Sequence, residues 1–306
     1  MNIAVIGAGK WGTNYIRTLL EIGEEVSWVC ARSKKTLEKA ARLTNAKATT
    51  DYKEILNDKR VEAVAVVTDA ASHYRIAKDA ILAGKHAIIE KPMTLSSKEA
   101  EELVKLAEKK KTTLMAGHIH RYNKGIQKIK EDIDAGKFGK ILQIKTIGAN
   151  NNPRTDSSTL WDFAPHDITI ATYLTGEYPE SVSAEGNKDE FTMQMKFRNK
   201  TTATANGSWL KNHKKREITV AGEKLKALFE DYAEEKLTYC DNKGNCKKIP
   251  VGNEKPLTEE LKHFIECAKT GKKTLTDGTE GMKTIKVLEA AQKSMDNNGK
   301  EIKTGL

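Results

Sequence analysis

The chain predicts an α/β fold in two parts: an N-terminal doubly wound parallel sheet, then an α+β domain with a large, mostly antiparallel open sheet. Three observations carry this. Up to Gly117, short apolar runs alternate with longer amphipathic segments, and strict strand–helix alternation argues a parallel sheet covered on both faces. The first run, Asn2-Ile3-Ala4-Val5-Ile6, leads directly into Gly7-Ala8-Gly9-Lys10-Trp11-Gly12, which opens an amphipathic helix. After Gly117 the strand-like runs mostly follow one another without crossover helices, as antiparallel strands do. The expected division is 1–118 and 119–306.

A glycine pattern of this kind is weak alone, but after a strand and before a helix it is the dinucleotide-binding fingerprint. Gly7 allows the tight turn, Gly9 lets a pyrophosphate approach the backbone, and Gly12 lets the helix pack on the sheet. Lys10 and Trp11 begin the helix whose unsatisfied N–H groups face the phosphates. The second strand, 26–30, leads to Ser33, a plausible cap for a helix through Leu43. In this fold an acidic residue at the end of that strand accepts the adenine ribose hydroxyls and selects NAD. The equivalent position here is Ala31, and 26–36 contains no carboxylate. Arg32 is placed to clamp a 2′-phosphate, with Ser33 and Lys34 adding donors, so NADP is favoured over NAD.

A third strand at 46–50 is followed by Asp51 as a helix cap, and a fourth at 61–67 is apolar at almost every position, as a strand buried on both faces should be. A helix over 71–83 stops at Gly84. Next comes Ala87-Ile88-Ile89-Glu90-Lys91-Pro92, a buried strand ended by proline, which cannot donate to a ladder. Glu90 and Lys91 therefore stand at the carboxyl end of a buried strand, where open α/β sheets bind ligands. Ser96 with Glu99 has the capping-box spacing before the next helix, and 112–116 is the sixth strand. In the second part a helix runs to about Ala135, strands follow at 141–147 and within 181–238, and helices over 257–269 and 279–294 close the chain.

The 306 residues suffice for two cores. With 38% hydrophobic and 31% charged residues the chain reads as soluble, and no apolar run reaches membrane length. The N-terminus enters a strand with no basic region or cleavage site, so no secretion signal is expected. The four cysteines match no zinc pattern, and no ligand cluster suggests any metal. Cys240 and Cys246 flank a turn and are read as reduced thiols, which with the missing signal implies a cytoplasmic protein. The net charge of +10 is spread along helix faces among glutamates, without the interleaved aromatics of a nucleic-acid binder. Only 211–216 is densely basic, and it reads as a solvated loop or else as a site for an anionic ligand.

Ala83-Gly84-Lys85-His86-Ala87-Ile88-Ile89-Glu90-Lys91-Pro92 resembles the AGKHVxxEKP motif of the glucose-fructose oxidoreductase / inositol dehydrogenase / MocA (Gfo/Idh/MocA) family. Its members are mostly NAD(P)-dependent dehydrogenases of sugars and related alcohols, with an N-terminal Rossmann domain and a second domain whose open sheet often forms a dimer interface. The resemblance places Lys91 between nicotinamide and substrate, with Glu90 beside it. It extends to Thr68 and His73, where the family reads T-P-x-x-x-H, although Asp69 replaces the proline; it implies a cofactor contact for Thr68, whereas His73 reads as a structural histidine. Arg121-Tyr122-Asn123 resembles the family's entry into the second domain, with Lys124 in place of the usual proline. Leu160-Trp161-Asp162-Phe163-Ala164-Pro165-His166-Asp167-Ile168 resembles D-x-x-x-H-x-x-D, with Asp162 and His166 matching and Thr169 at the last position. If the helix has begun by Trp161, Asp162 and His166 share one face; Pro165, which suits only a first turn, opposes this.

The resemblance implies a catalytic set of Lys91, His166 and Asp162. A histidine, with an ordinary pKa of about 6.5, suits the base that takes the alcohol proton. A lysine ammonium stabilises developing alkoxide, and an aspartate orients a sugar hydroxyl. The expected function is hydride transfer between nicotinamide and a secondary alcohol of a sugar. A nucleotide sugar such as a UDP-N-acetylhexosamine oxidised at C3 is favoured, with Trp161 near the sugar and Arg121, Arg154 and the basic cluster meeting its diphosphate. The alternatives are a free monosaccharide or polyol dehydrogenase, and a non-catalytic dinucleotide-sensing regulator. A homodimer or homotetramer through the second domain's sheet is expected, with no nucleic-acid or membrane partner.

Overall fold

The computed structural model describes all 306 residues. The first stretch runs β1 (Asn2–Ile6), α1 (Lys10–Glu21), β2 (Glu25–Cys30), α2 (Lys34–Ala41), β3 (Lys47–Thr49), α3 (Tyr52–Asn57), β4 (Ala63–Val66), α4 (Ala70–Leu82), β5 (His86–Glu90), α5 (Ser97–Lys110) and β6 (Leu114–Gly117). A 3-10 turn leads to α6 (Lys124–Asp134), β7 (Ile141–Ala149) and α7 (Thr159–Thr175). Then come β8 (Ser181–Gly186), β9 (Glu190–Lys196), β10 (Thr202–Ser208), β11 (Lys215–Gly222), β12 (Leu225–Glu230), β13 (Leu237–Asp241) and β14 (Cys246–Lys248). The chain ends with α8 (Pro256–Thr270), α9 (Gly278–Met295) and β15 (Ile302–Lys303).

Two compact units result: Met1–Ile119 with Lys255–Ile285, and His120–Glu254 with Lys286–Leu306. This departs from one cut at 118/119. Helix α8 carries a buried apolar face, Leu257, Leu261, Phe264 and Ile265, that packs with α1 in the first unit. The gain from burying that face ties a sequence-distant helix to the dinucleotide-type sheet.

The first unit holds a parallel six-stranded sheet ordered β3-β2-β1-β4-β5-β6. Its strands are short apolar runs, with β4 buried at all four positions, and the helices cover both faces. Caps expected from the sequence form: Ser33 accepts from the Thr36 N–H and Asp51 from the Lys53 N–H. Ser96 accepts from the Lys98 N–H, two residues on, rather than from the third. The strand order reverses between β1 and β4, which opens a crevice at the carboxyl ends of the strands.

The second unit holds a nine-stranded sheet ordered β14-β13-β12-β11-β7-β10-β9-β8-β15. It is antiparallel except for β7 and β10, which run parallel. Strict alternation, as in β9, buries one face, and α6 and α7 pack on the sheet. Cys240 and Cys246, read from the sequence as reduced thiols, form a disulfide; β13 and β14 make them direct cross-strand partners with Cα atoms 4.1 Å apart. Cys30 and Cys267 are free and buried. No helix is long and apolar enough to cross a membrane.

Candidate functional site

The glycine loop has the shape its spacing requires. Gly7 adopts φ +104°, and a Cβ there would lie 2.4 Å from the Val67 carbonyl. A Cβ on Gly12 would lie 2.1 Å from the Gly7 carbonyl oxygen. Gly9 is different: a Cβ there meets nothing within 4 Å. It faces a cleft of about 810 Å³ lined by the glycine loop, Ala31, Arg32, Ser33, Thr68 and Asp69. A dinucleotide fits this cleft, since its wall is bare backbone at the amino end of α1, where N–H groups point outward. Arg32 is exposed at its rim, and its Nη2 lies 3.1 Å from Asp69 Oδ2. Arg75 also lines the cleft, its guanidinium 5.7 Å from the Tyr52 ring.

At the carboxyl end of β5, Glu90 is buried and held from three sides. The Trp11 indole N–H (2.5 Å) and the Tyr15 hydroxyl (2.8 Å) donate to its Oε1. The Lys91 backbone N–H donates to its Oε2 at 3.0 Å. Trp11 thus reaches β5 from the first turn of α1, so the glycine loop and the Glu90-Lys91 turn form one braced structure. His73, buried at the start of α4, lies 2.9 Å from the Pro92 carbonyl oxygen and 3.1 Å from that of Thr68. Burial holds its pKa below the ordinary value, so the neutral ring donates to one of these carbonyls. It acts as a structural tie beneath Thr68, whose hydroxyl oxygen lies 2.7 Å from that of Ser72.

Two further acidic groups of this unit were not singled out in the sequence. Glu280, in the first turn of α9, bonds the buried His118 at 2.5 Å. Glu260 on α8 is fully buried, and neither carboxyl oxygen has a hydrogen-bond partner. Burial, and secondarily the charge of Glu90, raise its pKa well above the usual carboxylate range. Periodicity marks both positions as ordinary helix residues, which is why sequence reasoning missed them.

In the second unit α7 runs unbroken from Thr159 through Pro165 to Thr175. Asp162 and His166 therefore stand one turn apart on one face. Pro165 removes only the N–H that would have bonded the Trp161 carbonyl. The Trp209 indole N–H donates to Asp162 Oδ2 at 3.3 Å, and Arg154 Nη1 lies 3.6 Å from Asp162 Oδ1. Arg154 is also held by Asp156, Nη2 to Oδ2 at 2.8 Å. The ring of His120 meets that of His166 edge-on, centroids 4.7 Å apart. The Arg121 guanidinium stacks over the Tyr173 ring, 4.0 Å from its centroid. Trp161 donates its indole N–H to Gln292 Oε1 at 3.0 Å.

The basic stretch 211–216 divides. Lys211 to Lys214 form an exposed loop, but Arg216 is the second residue of β11 and is buried, its Nη2 2.8 Å from Asp167 Oδ1. Gly148 makes room for this pair, since a Cβ there would meet Arg216 Nη1 at 3.0 Å and the Phe163 ring at 2.7 Å. The arginine that completed a basic cluster in the sequence instead anchors α7 on the sheet, through the residue that follows His166.

Comparison with known proteins bears on both units. The model of the GFO_IDH_MocA oxidoreductase family, NAD-binding Rossmann fold, matches residues 1–118, and that of the GFO/IDH/MocA C-terminal domain matches 126–227. A myo-inositol 2-dehydrogenase of Thermotoga maritima is 25% identical over 97% of this chain and 96% of its own. A UDP-N-acetylglucosamine 3-dehydrogenase of Acidithiobacillus ferrooxidans is 25% identical over 93% of this chain and 94% of its own. The solved structure of a UDP-N-acetylglucosamine 3-dehydrogenase from that species has the same fold, with a TM-score of 0.88 and 23% identity over 97% of this chain and 98% of its own.

Proposed function

The chain belongs to the Gfo/Idh/MocA oxidoreductase family, and from that premise we propose that it moves a hydride between NADP and a secondary alcohol of a nucleotide sugar. The observation that carries the reading is Asp162 and His166, one turn apart on one face of α7, with the Trp209 indole holding the carboxylate. A bound nicotinamide cofactor would supply the hydride acceptor or donor. His166 takes the hydroxyl proton, as a histidine near neutral pH is suited to do. The Lys91 ammonium stabilises charge developing on the alcohol oxygen. Asp162 accepts from a neighbouring hydroxyl and fixes the sugar's orientation. Glu90, locked by Trp11 and Tyr15, fixes the backbone from which Lys91 projects. Gly7, Gly9, Lys10, Trp11, Gly12, Thr68 and the Arg32-Ser33 pair hold the dinucleotide.

The nucleotide-sugar reading rests on Arg154 beside Asp162, a cation within reach of the aspartate that orients the sugar, and on the likeness to a UDP-N-acetylglucosamine 3-dehydrogenase. The likeness to a myo-inositol 2-dehydrogenase favours the second reading, a free sugar or polyol. Titration calorimetry in the presence of NADPH separates them. A UDP-N-acetylhexosamine is expected to bind at least ~10-fold more tightly than the free hexosamine, about 1.4 kcal/mol. Equal affinity, or no binding of the UDP compound, selects the second reading.

A further inference from the structure

We propose that Asp69 sets how well the cofactor cleft accepts a 2′-phosphate, by holding Arg32. The inference rests on the cleft being the dinucleotide site and adds a residue that opposes the arginine there. Asp69 occupies the N-cap position of α4, yet its carboxylate makes no capping hydrogen bond. The side chain is instead turned across the cleft, with Oδ2 3.1 Å from Arg32 Nη2. The local backbone does not depend on it. The Ser72 hydroxyl donates to the Asp69 carbonyl oxygen at 2.8 Å, and the Ser72 N–H donates to the same oxygen at 3.0 Å. Asp69 has φ −69° and ψ 145°, the conformation a proline holds. A carboxylate at this place therefore changes the charge of the cleft and leaves the course of the chain unaltered.

The consequence is a competition. Arg32 is the cation at the end of β2, the strand end that meets the adenine ribose in this fold. A 2′-phosphate must draw its guanidinium away from Asp69, whereas a 2′-hydroxyl leaves the ion pair intact. The Arg32 side chain is 89% exposed, so the pair is a weak one. Its effect is a graded bias, small enough to be overcome and large enough to be measured. Asp51, Tyr52 and Arg75 also line the cleft and face the same space. The bias assigned to Asp69 is the part that passes through Arg32.

Fluorescence titration with NADPH and NADH tests this without knowledge of the substrate, in the wild type, Asp69→Asn, Arg32→Ala and the double variant. Asp69→Asn is expected to lower the Kd ratio of NADPH to NADH by about three- to fivefold, the range of an exposed ion pair. In the Arg32→Ala background the same substitution is expected to move that ratio less than about twofold. An unchanged ratio in the wild-type background overturns the inference. An equal shift in both backgrounds also overturns it, because Asp69 would then act on the phosphate without Arg32. Thermal melting of each variant identifies any loss of fold. The wild-type ratio alone tests the NADP preference, so either idea can fail without the other.

Discussion

Lys91 and His166 illustrate what a residue's type and place can determine. Lys91 follows the last residue of a buried strand, and His166 lies one turn after a carboxylate on a helix face. Alanine at either position is expected to lower kcat at least ~100-fold while melting temperature and NADPH binding are retained. A variant with near wild-type turnover would remove that residue from the chemistry. Glu260 illustrates the opposite case, a residue whose property comes only from its surroundings. Its folded-state pKa lies well above the ordinary 4.5, so between these values the folded chain holds a proton that the unfolded chain has lost. Stability conferred by the neutral acid is therefore full below the unfolded pKa and declines as pH rises through the window above it. Glu260→Gln keeps the shape and removes the titration. Its melting temperature is expected to match wild type near pH 4, below the unfolded pKa, and to gain on it as pH rises above about 5. Parallel curves for the two proteins would show that Glu260 is not held protonated.

At the scale of elements, the loop from β1 to α1 gives three glycines three separable jobs. Gly12 packs against the Gly7 carbonyl, and Gly9 borders open space. Gly12→Ala is expected to cost several kcal/mol in urea unfolding, because the added methyl meets backbone that cannot give way. Gly9→Ala is expected to cost less than about 1 kcal/mol, the difference between glycine and alanine as a cap. The same change should weaken NADPH binding at least ~10-fold by filling the approach to the pyrophosphate. Equal stability losses, or Gly9→Ala binding at wild-type affinity, would contradict this division. Helix α7 shows an element overriding a local rule: Pro165 sits in its second turn, yet the helix continues. The burial of Leu160, Ala164, Ile168 and Ala171, with the Asp167–Arg216 pair, outweighs one missing hydrogen bond.

For the whole molecule, the second unit's sheet has one face packed on helices and one that presents Gln143, Lys145, Thr192, Gln194, Thr204, Glu217 and Thr219. These residues are polar but only partly exposed at several positions, on a broad surface spanning four adjacent strands. We expect this face to join copies of the chain. Sedimentation velocity at micromolar concentration should show a dimer or tetramer, and introducing two negative charges with Thr219→Asp and Thr204→Asp should shift it toward monomer. A wild-type monomer would exclude the assembly.

What the sequence determined is whatever rests on neighbours a few residues apart. The strand–helix alternation, the caps at Ser33 and Asp51, the glycine loop and the strand ending at Pro92 depend on periodicity and turn chemistry, so the order of residues alone is enough to read them. The tertiary structure decided what rests on register and on which faces meet. The parallel pairing of β7 with β10 follows from α7 carrying the chain over before β8 begins. Residues 255–285 return to the first unit because α1 offers an apolar face to α8. Arg216 leaves the basic loop for Asp167, Trp209 reaches Asp162, and Asp69 meets Arg32 across positions 37 to 49 residues apart in the chain. No local pattern encodes such pairs, since each forms only after the sheets have set the spacing of their strands. Charge and hydrogen bonding then act between whichever side chains that spacing brings within about 3 to 4 Å.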